Sequence, residues 1–188
     1  IRSGLAKPDY VVDLKRAPGL DELAFDEKTG LSIGACVTVN RLIDDPVVQK
    51  RYPILHAAGS ELATFQLRNR ATVIGNVVTA SPCGDMSSPL LCLGASVTLR
   101  SKDQTREMPL REFITGVKKT QIAPDEIVTK ITVPTDRVDA AGGYRKLKRI
   151  KGHDLGVVAV AMIRRDGITR VAISSAAPTP VLLPDFPS

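Results

Sequence analysis

Short apolar segments bounded by turn-forming residues run through the first part of the chain. This pattern is typical of β-strands and predicts them at residues 10–14, 31–35, 95–101 and 127–133. Helices are predicted between these strands at residues 38–43, 53–63 and 86–93, with a helical turn at 110–115. Thr38 or Asn40 is available to cap the first helix. The mixture of elements indicates an α+β protein.

A polar segment, residues 136–143, follows and ends in two glycines, which makes it the best candidate for a domain boundary. Three further strands are predicted beyond it, at residues 144–149, 156–164 and 168–175. Asp166-Gly167 is a strong hairpin signal between the last two strands. We therefore expect one domain over residues 1–137 and the antiparallel sheet of a second domain over residues 141–188.

Composition restricts the class of protein. With 188 residues and 43% hydrophobic content, the chain can bury a substantial core. The longest apolar run, residues 155–163, is far shorter than the ~20 residues that a membrane-spanning helix needs, and no signal-peptide pattern opens the chain. We expect a protein without a transmembrane segment, located in the cytoplasm.

The cysteines and histidines give no sign of a metal centre. Cys36, Cys83 and Cys92 are odd in number and include no C-x-x-C pair, which argues against an iron–sulfur cluster or zinc site held by this chain alone. Reduced, buried thiols are expected, with a redox-active Cys83 as the alternative. His56 and His153 stand apart from any ligand cluster, so no metal site is predicted.

The net charge of +6 is concentrated in residues 141–170, where eight Lys and Arg residues accompany two Asp residues. Such a cluster could contact an acidic partner, the phosphates of a dinucleotide or nucleic acid, or form a solvated face of a strand pair. Nucleic acid is disfavoured because only Tyr144 places an aromatic ring among the charges, and no nucleic-acid-binding motif is present.

Candidate chemistry is concentrated in residues 66–85, QLRNRATVIGNVVTASPCGD. Gly75 lets backbone amides approach a ligand, and successive exposed amides suit a diphosphate. Neutral hydrogen-bonding side chains accompany it at Thr72, Asn76, Thr79 and Ser81. Asp85 can accept hydrogen bonds from sugar hydroxyls. The alternative is an ordinary loop between two elements, with Asp85 as the N-cap of the following helix.

This run resembles the FAD-binding segment of the flavoprotein (medium) subunits of molybdenum hydroxylases, the family of xanthine dehydrogenase and aerobic carbon monoxide dehydrogenase. The family pattern is roughly Q-x-R-N-x-[AG]-[ST]-[IV]-G-G-N, followed by A-S-P-x-x-D. The resemblance continues in order through PDYVVDL, LSIGACVTVNRL, ASVTLRS, MPLREFITG, DEIVTKITVP, GYRKLKR and AAPTP. It therefore covers nearly the whole chain.

The resemblance implies an FAD-binding domain of the vanillyl-alcohol-oxidase/PCMH type, followed by the opening sheet of a small C-terminal α+β domain without its covering helices. It implies an oxidoreductase assembled from several subunits. A large molybdopterin-binding subunit would oxidise the substrate at a molybdenum cofactor, and a small subunit would carry 2Fe-2S clusters. The FAD of this chain would then pass electrons to an external acceptor. No general acid, base or nucleophile is predicted here.

The resemblance also carries cofactor contacts onto particular residues: Thr72, Val73, Ile74, Gly75, Asn76, Thr79, Ser81, Asp85, Leu62, Val128 and Lys146. The segment from Thr72 to Asn76 would cradle the diphosphate and the adjoining sugar, Thr79 would lie near the flavin ring, and Asp85 would bind hydroxyls. Lys146 would be a basic contact. For the apolar contacts Leu62 and Val128, an ordinary place in the core is an equal alternative.

Two departures from the family pattern qualify this hypothesis. Ile74 stands where the family has the first glycine of G-G-N, so its side chain must point away from a diphosphate bound in the family's manner. The family's earlier phosphate loop would precede PDYVVDL, so the chain is expected to belong to a longer polypeptide and to bind FAD weakly by itself. Two other functions stay open: a non-flavin scaffold subunit and a basic binding module without a redox role.

Overall fold

A computed structural model describes residues 7–187 of the chain. The strands are β1 (Leu23–Asp26), β2 (Gly30–Gly34), β3 (Ser96–Arg100), β4 (Thr105–Pro109), β5 (Ile114–Gly116), β6 (Lys119–Thr120), β7 (Ile127–Val133), β8 (Ala141–Lys148), β9 (Gly156–Arg165), β10 (Ile168–Ser174), β11 (Val181–Leu182) and β12 (Phe186–Pro187). The helices are α1 (Val39–Asp44), α2 (Pro46–Arg51), α3 (Pro53–Glu61), α4 (Phe65–Arg68), α5 (Val73–Val78), α6 (Ser87–Cys92) and α7 (Leu110–Phe113).

The first sheet is antiparallel, with strand order β1-β2-β7-β3-β4. Its central strand β7 has the predicted bounds, because it is rich in β-branched residues and Pro134 cannot continue the ladder. Ile131 pairs with Ile33 on one side and with Val97 on the other, and all three side chains are fully buried. These residues form the centre of a core that the helices cover.

Side-chain caps mark the start of the helices α1, α2, α4 and α5. The Thr38 side chain accepts a hydrogen bond from the Arg41 amide at the start of α1, which confirms that predicted cap. Asp45 caps α2 and Thr64 caps α4 in the same manner. Sequence patterns missed α2 and α4, since each is short and depends on its cap more than on a long apolar face.

The second sheet has the strand order β11-β10-β9-β8, and β12 pairs with β10. Asp166 and Gly167 both have positive φ, 52° and 75°, which is the geometry of the predicted tight hairpin between β9 and β10. One face of this sheet, including Tyr144 and Ala161, packs against α3 and α6. Leu147 and Met162 lie on the opposite face and are 61% and 47% exposed.

Three sequence predictions differ from the structure. Residues 10–14 do not form a strand: Tyr10 and Val11 are exposed, and a 3₁₀ turn at Leu14–Arg16 follows. Within residues 7–187 no strand pairs with these β-prone residues, and packing supplies most of β-propensity. Strand β8 begins at Ala141, inside the predicted boundary segment. The predicted phosphate loop contains the helix α5.

The division into domains at residues 137 and 141 stays a prediction. The strands of the first five-stranded sheet lie within residues 23–133, and those of the second sheet lie within residues 141–187. Residues 1–6 and 188, which the predicted domains include, lie outside the described residues. Within residues 7–187 there is no helix with the length and apolar content that a bilayer crossing requires.

Candidate functional site

The helix α5 lies at the centre of the candidate site. Thr72 is its N-cap: the Oγ1 atom accepts from the Gly75 amide at 2.9 Å, and the carbonyl accepts from the Asn76 amide at 3.0 Å. The Val73 amide donates to the Val37 carbonyl at 3.1 Å. The sequence predicted a run of amides free to bind a ligand, and this prediction is wrong for the N–H groups of Val73, Gly75 and Asn76. What α5 offers an anion is its N-terminal dipole and its side chains.

A cavity of about 480 Å³ lies beside the C-terminal half of α5, and we call it the polar cavity. It is lined by Leu62, Ala63, Asn76, Thr79, Ser81, Cys83, Gly84, Asp85, Lys146, His153, Asp154 and Leu155. The lining comes from the end of α3, from α5 and the segment after it, from β8 and from the loop that follows β8. The polar cavity is thus built jointly by the first part of the chain and the second sheet.

A buried ion pair forms one wall of the polar cavity. The Lys146 Nζ atom lies 2.9 Å from Asp85 Oδ1 and 3.0 Å from Oδ2, and the Tyr144 hydroxyl donates to Oδ1 at 2.7 Å. Burial raises the pKa of Asp85 above its ordinary value, although the hydrogen bonds from Tyr144 and Lys146 act in the opposite direction. Burial also raises the pKa of Tyr144, so its hydroxyl stays a donor.

These contacts correct the proposed capping role of Asp85. The helix α6 begins at Ser87 with Met86 in the cap position, and it has no side-chain cap hydrogen bond. The Asp85 carboxylate is instead engaged by β8. The carboxylate therefore holds the second sheet against the segment that follows α5.

Neutral polar groups complete the polar cavity. Asn76 accepts from the Met86 amide through Oδ1 at 3.1 Å, and Thr79 donates its hydroxyl proton to the Gly75 carbonyl at 2.7 Å. Ser81 Oγ accepts from the Cys83 amide at 3.3 Å. The groups left for a ligand are the amide NH₂ of Asn76, the hydroxyl lone pairs of Thr79 and the hydroxyl proton of Ser81.

The loop after β8, residues 149–155, covers one side of the polar cavity. Arg149 donates to Asp154 at 2.9 Å and 3.1 Å, which lowers the pKa of Asp154 to about 2. This pair fixes the loop that brings His153 and Leu155 to the cavity wall. Neither loop residue was predicted as a cavity residue.

A second cavity of about 240 Å³ lies along α5 from its N-cap Thr72 to its last residue Val78, and we call it the apolar cavity. It is lined by Leu14, Ala35, Thr72, Ile74, Gly75, Val78, Ile122, Ile127 and Val128. Ile74 is only 4% exposed and belongs to the core cluster. Its side chain therefore packs inward, as the hypothesis of a bound diphosphate requires.

The predicted contacts divide between the two cavities. The polar cavity brings together Leu62, Asn76, Thr79, Ser81, Asp85 and Lys146. The apolar cavity brings together Thr72, Ile74, Gly75 and Val128. Val73 reaches neither cavity, because its side chain is fully buried in the core. Leu62 and Val128 are both buried and cavity-lining, so the two alternatives for them are compatible.

Sequence reasoning missed the role of Arg68, although its R-N motif was recognised. The Arg68 guanidinium donates through Nη1 to the carbonyls of Ser60, Leu62 and Ala63 at 3.0–3.3 Å, and through Nε to Asn40 at 2.9 Å. It thereby satisfies carbonyl groups at the end of α3 that a helix leaves unpaired. Arg68 supports the backbone that places Leu62 and Ala63 at the polar cavity.

A protein-family model described as FAD binding domain in molybdopterin dehydrogenase matches residues 1–136. The chain belongs to this family. The resemblance that the sequence motifs predicted is confirmed, and so is the α+β fold class.

Similar proteins agree with this assignment. The chain is 30% identical over 178 residues to the carbon monoxide dehydrogenase medium chain of Hydrogenophaga pseudoflava, covering 93% of this chain and 62% of that protein. It is 31% identical over 159 residues to the nicotinate dehydrogenase FAD-subunit of Eubacterium barkeri, covering 83% and 53% respectively. The chain thus spans less than two thirds of either relative.

Solved structures show the same fold. A chain of carbon monoxide dehydrogenase from Hydrogenophaga pseudoflava superposes with a TM-score of 0.88 at 29% identity, covering 96% of this chain and 64% of that one. A chain of quinoline 2-oxidoreductase from Pseudomonas putida 86 gives a TM-score of 0.78 at 26% identity, covering 87% and 57%.

The residues of this FAD-family chain fit the chemistry of a flavin nucleotide. A Cβ atom on the cavity residue Gly84 would lie 3.3 Å from Asn76 Oδ1 and 3.4 Å from Ser87 Oγ, so any side chain there would crowd the wall. Ser87 Oγ is buried and finds no hydrogen-bond partner within residues 7–187. Buried hydroxyls are normally satisfied, by water or by a ligand where protein groups do not serve. No cluster of three metal-ligating side chains occurs in the same residues.

Proposed function

We propose that this chain is the FAD-binding part of the electron-transfer subunit of a molybdenum hydroxylase. Electrons would pass from the 2Fe-2S clusters of a small partner subunit through FAD to an external acceptor. A large molybdopterin-binding subunit would oxidise the substrate. Bound FAD would supply the redox chemistry that joins one-electron carriers to a two-electron acceptor. Family membership supports the cofactor, and location in the cytoplasm stays a prediction.

The observation that carries this proposal is the placement of two unlike cavities along one helix. FAD is a long molecule with a polar flavin half, a diphosphate and an aromatic adenine. The apolar cavity suits an adenine ring, because Ile127 and Val128 give it aliphatic walls. The polar cavity suits the flavin half, because it offers hydroxyl, amide and ammonium groups. The segment from Thr72 to Asn76 contributes residues to both cavities and would face the diphosphate.

Six residues that line the polar cavity then have a definite role toward the cofactor. Lys146 would hold a positive charge beside the flavin half, and the Asp85 carboxylate would orient that charge. Asn76, Thr79 and Ser81 would bind hydroxyl or carbonyl groups of the cofactor. Leu62 would exclude water from one side, since it is 6% exposed and lines the cavity. These side chains bind and orient the cofactor, and none of them is assigned a proton-transfer step.

The basic segment does not favour the rival reading of a nucleic-acid module. Five of its eight basic side chains are paired with carboxylates: Lys146 with Asp85, Lys148 with Glu61, Arg149 with Asp154, Arg165 with Asp166 and Arg170 with Asp185. Local neutralisation weakens the field that would attract a polyanion. Two departures from the family pattern motivate the scaffold reading, and the structure bears on one of them: the Ile74 side chain is buried in the core.

The test is the flavin content of the complete subunit, expressed with its partner subunits. We expect one FAD per subunit after denaturing release, identified by its chromatographic retention and absorbance. Reduction of the complex through its molybdenum site should bleach the flavin absorbance. A complex without flavin would support the scaffold reading and contradict the proposal.

A further inference from the structure

Tyr144 was not among the predicted site residues, yet it makes the shortest contact to the Asp85 carboxylate. We propose that Tyr144 is a positioning residue of the polar cavity. Its hydroxyl fixes the Asp85 carboxylate, and the carboxylate fixes the Lys146 ammonium at the wall where FAD would bind. This inference rests on the proposed function, because it gives Tyr144 an effect on how tightly the same site binds FAD and on the reduction potential of that FAD.

The first support is geometric. Tyr144 and Lys146 are two residues apart on β8, so their side chains share the face that packs toward the polar cavity. Both approach one carboxylate: Oδ1 receives Tyr144 at 2.7 Å and Lys146 at 2.9 Å, and Oδ2 receives Lys146 at 3.0 Å. Tyr144 is 2% exposed and Asp85 is 7% exposed. Water therefore cannot readily replace the hydroxyl.

The second support is the protonation state of the hydroxyl. Burial and the neighbouring Asp85 charge raise the pKa of Tyr144 far above its ordinary range, so the phenol is neutral and donates at neutral pH. A hydrogen bond to an ionised acceptor in a buried site is strong. It favours the charged form of Asp85, in opposition to the burial that favours the neutral form.

The third support is the dependence of the buried Lys146 ammonium on Asp85 as its counter-ion. Its side chain is 2% exposed, and its other oxygen neighbour is the Glu61 carbonyl at 3.5 Å. If Asp85 became protonated, the ammonium would lose its counter-ion in a buried site. The charge beside the flavin half would then vary with pH. The Tyr144 hydrogen bond thus favours the ionised form of Asp85, which is the counter-ion of Lys146.

Other charged groups around the carboxylate are few within the described residues. Lys146 lies on β8, Glu61 at the end of α3 is paired with Lys148, and Asp154 in the loop after β8 is paired with Arg149. Cys83 and His153 also line the polar cavity. Because the two flanking carboxylates are held by their own partners, Asp85 is the group whose ionisation depends on Tyr144.

The test uses Tyr144→Phe in the complete subunit within its complex. Tyr52→Phe is the matched control, because Tyr52 is also buried but its hydroxyl has no partner among residues 7–187. We expect Tyr144→Phe to weaken FAD binding about tenfold in a fluorescence titration. At fixed potential we expect about a tenfold change in the ratio of reduced to oxidised flavin, which corresponds to about 30 mV for a two-electron couple. Tyr52→Phe should change neither quantity.

The double variant decides whether Tyr144 acts through the carboxylate. If it does, the double variant Tyr144→Phe/Asp85→Asn should have the same FAD affinity and reduction potential as Asp85→Asn alone. The pH dependence of the potential should also be the same in these two proteins. Additive effects would overturn the inference. So would a Tyr144→Phe subunit with a lower melting temperature but unchanged affinity and potential. A parent subunit without flavin would overturn the proposed function itself, whereas an unaffected variant of a flavin-holding parent would overturn only the role of Tyr144.

Discussion

The polar and apolar cavities lie against the same helix but are held together by different forces. The polar cavity depends on an ion pair and hydrogen bonds that join β8 to the segment after α5. The apolar cavity has mainly aliphatic walls drawn from residues 14–128, and the core residues Ala35, Ile74 and Val128 are among them. One lost hydrogen-bonding group should therefore damage the polar cavity strongly, whereas the apolar cavity should respond to changes of volume.

The largest effect is expected from Asp85→Ala. This change removes the acceptor that the Tyr144 hydroxyl and the Lys146 ammonium share, and each buried donor left unsatisfied costs about 1–3 kcal/mol. FAD content of the complete subunit, measured after denaturing release, should fall to a small fraction of the parent value. Glu27→Ala is the control, because Glu27 is 74% exposed and pairs with Arg51 away from both cavities. The control should cost less than about 1 kcal/mol, and equal flavin content in Asp85→Ala and parent would remove Asp85 from the site.

Lowering the pH should also reduce the FAD content, but less than Asp85→Ala does. As the pH falls from 7, Asp85 is protonated before Asp154, because burial raises the pKa of Asp85 while Arg149 holds that of Asp154 at about 2. FAD retention should fall as the pH passes through the raised pKa of Asp85. The stability of the flavin-free subunit should respond with the opposite sign. A raised pKa adds stability that is complete below the ordinary value of 3.8 and is lost as the pH rises through the raised value.

The opposite pH dependences of FAD retention and of stability can be measured on the parent subunit and its Asp85→Asn variant. FAD fluorescence and urea unfolding of the flavin-free subunit, each followed against pH, should both lose this dependence in Asp85→Asn. If FAD retention and stability moved together with pH, the ionised carboxylate would not be the form that binds.

Val128→Ala should weaken the apolar cavity moderately. Val128 is 5% exposed, and the loss of two methyl groups removes about 1.5 kcal/mol of apolar contact, or roughly tenfold in affinity. The loss should appear for FAD but not for FMN, which lacks the adenine half. Equal losses for the two cofactors, titrated into the flavin-free subunit, would place Val128 elsewhere.

Ile74→Gly should have the smallest effect on binding. The Ile74 side chain is buried in the core but also lines the apolar cavity, so its removal should lower FAD affinity by no more than Val128→Ala does. The free energy of unfolding should fall by about 3–5 kcal/mol, as for other large core truncations. Loss of FAD from a variant that is still folded would contradict the position of α5 in the site.

Local sequence patterns predicted the elements that local forces decide. The strand β7 and the Asp166-Gly167 hairpin follow from β-branched composition and turn chemistry. The helix α5 was missed because Val73–Val78 contains glycine and β-branched residues of low helix propensity, and its stability comes from the Thr72 cap and core packing. The Tyr144 contact was missed because it joins residues 59 positions apart.

The central claim is that one elongated dinucleotide spans both cavities along α5. Comparing FAD and FMN in equilibrium fluorescence titrations of the flavin-free complete subunit tests this most directly. FAD should bind at least tenfold more tightly than FMN, because burial of an apolar group such as adenine in the apolar cavity contributes about 1.5–3 kcal/mol. Excess ADP should weaken the binding of FAD far more than that of FMN. Equal affinities for FAD and FMN, with no competition by ADP, would contradict the claim.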